Sequence, residues 1–206
     1  MSDILPAFLS GFALSAALIM AIGAQNLFVL RQGLLRQHVG PIVLFCGAAD
    51  AALIVVGVGG AGAMLEAAPQ ISRALALGGA AFLAWYGVAA LRRMARPDAL
   101  AAEASGGLSL GQALGATAAF TLLNPHVYLD TVLLMGVAGS AQPAALRPVF
   151  VLGAASASFA WFSALGFGAR ALRPLFARPE AWRLLDAVVG LVMLTLAASL
   201  LIGALA

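Results

Sequence analysis

The sequence predicts an all-α membrane protein of six transmembrane helices, and three observations carry that expectation. Of the 206 residues, 63% are hydrophobic and 9% are charged, against about 25% charged residues in an ordinary soluble domain. Apolar runs of about twenty residues, enough to cross a hydrocarbon core of ~30 Å, recur from end to end. Turn residues and arginines divide these runs into six spans, 7–28, 40–62, 74–91, 110–136, 148–169 and 184–205.

Taken in order, the first span, "AFLSGFALSAALIMAIGAQNLF", has no basic start and continues into further membrane sequence, so it reads as a retained helix rather than a cleaved signal. Gln25 and Asn26 fall in its inner third, and a broken helix is expected near Asn26. The second span follows Pro41 and brings Asp50 about nine residues in, ~13 Å along the axis and near the midplane. It closes on Gly57, Gly59, Gly60 and Gly62, which permit close helix approach. After the third span comes the longest connection, "RRMARPDALAAEASGGLSLG", with the composition of a solvated linker. The fourth span holds "FTLLNPHVYLDTVLLMG". Pro125 removes a backbone donor, and the residue before a proline resists helical angles, so a break is expected at Asn124-Pro125. The fifth span follows Pro148 and contains Trp161 and Phe162, either packing residues or the wall of a pocket. The sixth runs almost free of charge to the end of the chain.

The net charge of +3 does not point to nucleic acid, because all eleven basic residues are arginines placed mostly between apolar runs. Arg31, Arg36, Arg92, Arg93, Arg96, Arg170, Arg173, Arg178 and Arg183 fall in connections 1–2, 3–4 and 5–6; only Arg73 and Arg147 fall on the other side. The positive-inside rule then puts the odd-numbered connections in the cytoplasm and both termini in the periplasm. The single Cys46 excludes an intrachain disulfide and reads as a packing residue.

The halves resemble each other. "GAADAALIVVGVGG" in the second span and "GAASASFAWFSALGFG" in the fifth both open Gly-Ala-Ala, follow a proline and close on glycines. Gln25-Asn26 in the first span answers to Asn124-Pro125 in the fourth, with a weaker echo between the third and sixth. Residues 1–105 then form one three-helix repeat plus a cytoplasmic linker, and 106–206 form the second. An odd number of spans per repeat inverts the second, the design of many secondary transporters.

Asp50 and Asp130 share no apolar region with an arginine, and the chain has no lysine. An ionised carboxylate there needs a cation, a proton or a set of donors, which leaves room for a passing cation or proton. A helix break at Asn124-Pro125 frees amides and carbonyls that must meet protein or a wet cavity. Free amides favour a carboxylate and free carbonyls a cation, and an amino acid brings both. His126 is a proton relay or an anchor for its neighbours.

"GAQNLFVLRQGL", the mid-span "AAD" and above all "LNPHVYLDT" resemble the LysE-type amino-acid exporters, close to the lysine and arginine branch. The resemblance extends over nearly the whole chain, with "GGAAFLAWYG" and "SASFAWF" in order. It implies a carrier of the bacterial inner membrane that expels cationic amino acids and draws on the proton gradient or membrane potential. On that reading Asp50, Asn124, Pro125, Asn26, Gln25 and Trp161 bind substrate, while Asp50, Asp130 and His126 couple it to protons. The sequence departs from the family's Gly-Pro-Gln-Asn by having Ala24, and from the serine often preceding the second-span acid by having Ala49, so Asp50 lacks one local partner.

The expected partners are a cationic amino acid, protons and the lipid bilayer, without nucleic acid, cofactor or resident metal; a homodimer is allowed. Export of neutral amino acids or of a divalent metal cation is the alternative. An intramembrane hydrolase is disfavoured: there are two histidines, one of them His38 at the cytoplasmic edge, and no serine in a glycine-flanked elbow.

Overall fold

A computed structural model of the chain describes residues 3–20, 23–61, 69–95, 107–172 and 174–205. Gly62, Arg96, Arg173 and most of the linker lie outside the described residues. Those described are helical, with no strand among them. Helix α1 is Ile4–Ile19 and α2 is Ala24–Leu35. Helix α3, Val39–Val56, continues into a π-helical turn at Gly57–Ala61, and α4 is Pro69–Met94. Helix α5 is Leu110–Leu122, followed by the single turn α6, Pro125–Val127, a π-helical stretch Tyr128–Leu134 and α7, Met135–Ser140. Helix α8 is Arg147–Gly168 and α9 is Pro179–Leu205.

Four stretches are each long and apolar enough to cross a membrane: Val39–Gly60, Arg73–Met94, Ala144–Leu172 and Pro179–Ala204. The bent pair α1 and α2 makes a fifth if taken as one span. Six continuous helices are therefore not found, and the first and fourth expected spans are the interrupted ones. In the first, the chain turns by 85° between α1 and α2. The break lies ahead of Asn26 rather than on it. Gly23 is extended there, and the Asn26 side-chain amide donates to the Ile19 carbonyl at 2.9 Å, satisfying an acceptor left by the end of α1. In the fourth, the break falls where proline chemistry puts it.

Local chemistry explains the remaining boundaries. Ser109 and Gln112 form a capping box that starts α5. Between α2 and α3 the chain reverses through Arg36 and His38, both left-handed, and the His38 ring donates to the Leu108 carbonyl at 2.8 Å.

Small residues set the packing. A side chain at Gly11 would strike the Phe150 carbonyl, and one at Gly153 the Phe8 carbonyl, so α1 and α8 touch backbone to backbone. Helices α3 and α8 lie antiparallel, with Gly47 under the Phe159 ring and Gly166 against Val39 and Val43. Helices α4 and α9 are also antiparallel, with Gly79 near Leu200 and Gly87 near Met193 and Leu194. At the centre Phe120 meets Phe28, Phe82 and Tyr86 at ring-centroid distances of 5.1, 4.8 and 5.0 Å. Leu44, Leu152, Leu191 and Ile202 point outward, as expected of helices that are apolar all round in lipid.

Several of the arginines assigned to connections lie within helices, among them Arg73 and Arg92 in α4 and Arg183 in α9, and two of them are held inside the bundle. Arg31 lies within α2 and Arg93 within α4, and both bind Asp186 of α9, with N–O distances of 2.7 and 3.3 Å. Arg31 is 3% exposed and Asp186 1%.

Candidate functional site

The interruptions meet at one cavity of about 290 Å³, at the small end of ligand pockets. The bent pair contributes Ser15, Gln25 and Asn26, and α3 contributes Asp50. The second break contributes Asn124, His126, Asp130 and Thr131. Ser158 of α8 completes the polar set, and Phe82, Phe120, Leu196 and Leu200 form apolar walls.

Asp50 sits in α3 two turns before the π-helical turn and is 5% exposed. Ser158 Oγ donates to Asp50 Oδ2 at 3.0 Å, across from α8. That hydroxyl supplies the donor that Ala49 cannot. Among the described residues no guanidinium approaches this carboxylate. Opposite, Asn124 Oδ1 caps α6 by accepting from the His126 backbone N–H at 3.1 Å. Tyr128 Oη donates to the Leu122 carbonyl at 2.8 Å, filling an acceptor that stays open because the His126 N–H, four residues on, is turned to Asn124. The motif "NPHVY" thus breaks the helix and satisfies the break with its own side chains. The π-helical stretch that follows, a geometry frequent at functional sites, carries Asp130 and Thr131 along the cavity. Asp130 is half-buried and interacts electrostatically with His126.

Of the residues singled out from sequence, Asp50, Gln25, Asn26, Asn124, His126 and Asp130 line one space. Trp161 and Pro125 stand behind it: Trp161 Nε1 donates to Asn26 Oδ1 at 3.3 Å, and Pro125 begins α6. Phe162 is core, 1% exposed. Gln25 Nε2 is buried with no hydrogen-bond partner among the described residues, a donor held beside the cavity without an acceptor. The described residues contain no group of three or more His, Cys, Asp or Glu arranged to hold a metal ion.

Sequence reasoning missed Ser158, Ser15, Thr131, Asp186 and Trp182. Ser158 stood inside "GAASASF", a motif read for symmetry and for the family resemblance but not for a donor. Asp186 gave a plain signal, an acid inside an apolar run, but one too near a helix end to stand apart from a solvated residue.

Two carboxylates facing one cavity where two helix interruptions meet, inside an apolar bundle, mark a membrane carrier rather than an enzyme. The chain belongs to the LysE type translocator family, which matches residues 16–204. A putative amino-acid transporter of Mycobacterium bovis is 46% identical over 183 residues, covering 89% of this chain and 90% of that protein. The putative amino-acid transporter YggA of Aeromonas salmonicida is 43% identical over 198 residues, 96% of each. The arginine exporter protein ArgO of Yersinia enterocolitica is 43% identical over 190 residues, 92% of this chain and 93% of that one. No solved structure matches the chain.

Proposed function

We propose that this translocator exports cationic L-amino acids, arginine or lysine, across the bacterial inner membrane in exchange for protons, with both termini periplasmic. The observation that carries the reading is the buried Asp50 carboxylate in the cavity wall, held by one hydroxyl and, among the described residues, by no guanidinium. Such a group favours a mobile positive charge. The likeness to an arginine exporter over 92% of the chain favours a guanidinium as that charge.

In this mechanism Asp50 binds either the cargo's side-chain cation or the incoming proton, never both. Asn124, Gln25 and the interrupted backbone hold the α-carboxylate and α-ammonium. His126 and Asp130 pass protons between the cavity and the outer face. Expelling a cation from a negative interior costs about 2.3 kcal/mol per charge per 100 mV. Exchange for one proton cancels that charge movement and leaves the pH gradient as the drive. The two halves work as inverted repeats, a reading supported by the antiparallel contact of α3 and α8, which carry the two Gly-Ala-Ala sequences.

Proteoliposomes holding radiolabelled arginine, lysine, leucine or manganese test the proposal. Arginine or lysine efflux should exceed the others and accelerate with an opposing proton gradient. Asp50→Asn should abolish that acceleration. Normal rate and proton dependence in Asp50→Asn would refute the role of Asp50, and preferential leucine or manganese efflux would move the assignment to one of those cargoes.

A further inference from the structure

The mechanism above leaves the Arg31–Asp186–Arg93 cluster without a role. It occupies one end of the bundle: Arg31 in the last turns of α2, Arg93 beside the end of α4, Asp186 two turns into α9. The cavity lies further into the bundle. Along α4 the order is Phe82 and Leu83 at the cavity, then Tyr86, then Arg93; along α9 it is Leu196 at the cavity, then Met193, then Asp186. Both paths separate cavity from cluster by ~15 Å at 1.5 Å per residue. The space between is filled by the rings of Phe28, Phe120 and Tyr86. The cavity is therefore closed on this side by an aromatic plug, and behind the plug by ion pairs that tie α2, α4 and α9 together.

The chemistry of that closure is specific. Each guanidinium has the Asp186 carboxylate and an aromatic face: Arg31 lies over Trp182 at 5.8 Å, Arg93 over Tyr86 at 5.5 Å. A carboxylate flanked by aromatic faces is a site for a guanidinium, and here the protein's own arginines fill it. The two holds differ. The Arg31 side chain is 3% exposed and its contact is 2.7 Å, whereas the Arg93 side chain is 18% exposed and its contact is 3.3 Å. Of these two contacts with Asp186, that of Arg93 is the longer and the more exposed.

We propose that Asp186 is a second, transient binding point for the cationic group of the cargo, which takes the place of Arg93 and so releases the closure between α4 and α9. The inference rests on the reading of the protein as a cationic amino-acid exporter. One guanidinium replaces another, so the charge count of the cluster is unchanged while α4 loses this one ion pair to α9. A neutral amino acid has no side-chain cation to make the exchange, and the station thereby selects its cargo before the cavity is reached.

The test uses the full chain in proteoliposomes with Cys46→Ala and a reporter at Ala90→Cys. Ala90 is fully buried, one turn from Arg93 and from Tyr86. Arginine should raise the labelling rate of this thiol by a small water-soluble reagent several-fold, and leucine should not. Arg93→Gln, which leaves the shorter Arg31–Asp186 pair intact, should raise labelling without cargo and lower the arginine concentration that half-saturates transport. A merely structural Arg93 would not lower it. Asp186→Asn should label rapidly with or without arginine. Intact arginine transport with labelling that arginine does not change, or a higher half-saturating concentration in Arg93→Gln, overturns the station and leaves the exporter reading standing. Absence of arginine and lysine transport in the unmodified chain overturns both.

Discussion

Asp50 and its hydroxyl partner show how one contact sets the properties of a buried acid. In water the Ser158 hydroxyl would be worth little, but inside an apolar bundle an unpartnered carboxylate has few alternatives. Hydrogen bonds between membrane helices contribute about 0.6 kcal/mol on average and under about 2 kcal/mol at most. Ser158→Ala should therefore lower thermal stability by about 1 kcal/mol while weakening arginine retention, and Ser158→Thr should preserve both. Thermal unfolding in detergent and arginine efflux from liposomes check the pair; a loss in Ser158→Thr equal to that in Ser158→Ala would show that volume, rather than the donor, matters. Trp161 bonds Asn26 and does not line the cavity, so Trp161→Phe should alter efflux less than Asn26→Ala.

Among the elements, the interrupted fourth segment was legible in advance because its cause is local. Proline excludes a donor, asparagine caps, and Tyr128 closes the exposed carbonyl. Tyr128→Phe removes that last bond and should cost about 1 kcal/mol. Pro125→Ala should leave the interruption in place, because the Asn124 cap and the Tyr128 bond do not depend on the ring; a fully protected amide at position 125 in hydrogen exchange would contradict this. The interruption between α1 and α2, expected near Asn26, falls just ahead of it at Gly23. Asn26 does not mark the break but reaches back to hold it, a contact no residue-type rule predicts. The contact of α1 with α8 is also unforgiving: Gly153→Leu would drive a side chain into the Phe8 carbonyl. Overpacking of this kind costs about 1–3 kcal/mol or more, measurable as a lower unfolding temperature and poor membrane yield.

At the scale of the whole molecule, charge inside the bundle divides into two kinds. Asp50 and Asp130 face the cavity, and Asp186 is bound to two arginines of other helices. Removing one partner of a buried pair strands the other, a loss of about 3–5 kcal/mol in soluble proteins. Arg31→Ala should destabilise by that order, whereas Arg183→Ala, exposed and one turn earlier on α9, should stay within about 0.5 kcal/mol. Unfolding curves of the two variants distinguish them. Counting both Arg31 and Arg93 as loop residues exaggerated the orientation signal, since an arginine that is neutralised inside the bundle is not free to meet the cytoplasmic surface.

The sequence by itself determined the membrane class, the helical character and the interruption at Pro125. Each follows from hydrophobicity or from backbone rules acting within a few residues. Tertiary structure alone decided which acids stand without an internal cation and which do not. Ser158 meets Asp50 across 108 residues of chain, and Arg31 meets Asp186 across 155. Nothing local specifies such pairs: they form because small residues let particular helices come together, and because lipid offers a buried charge no other partner.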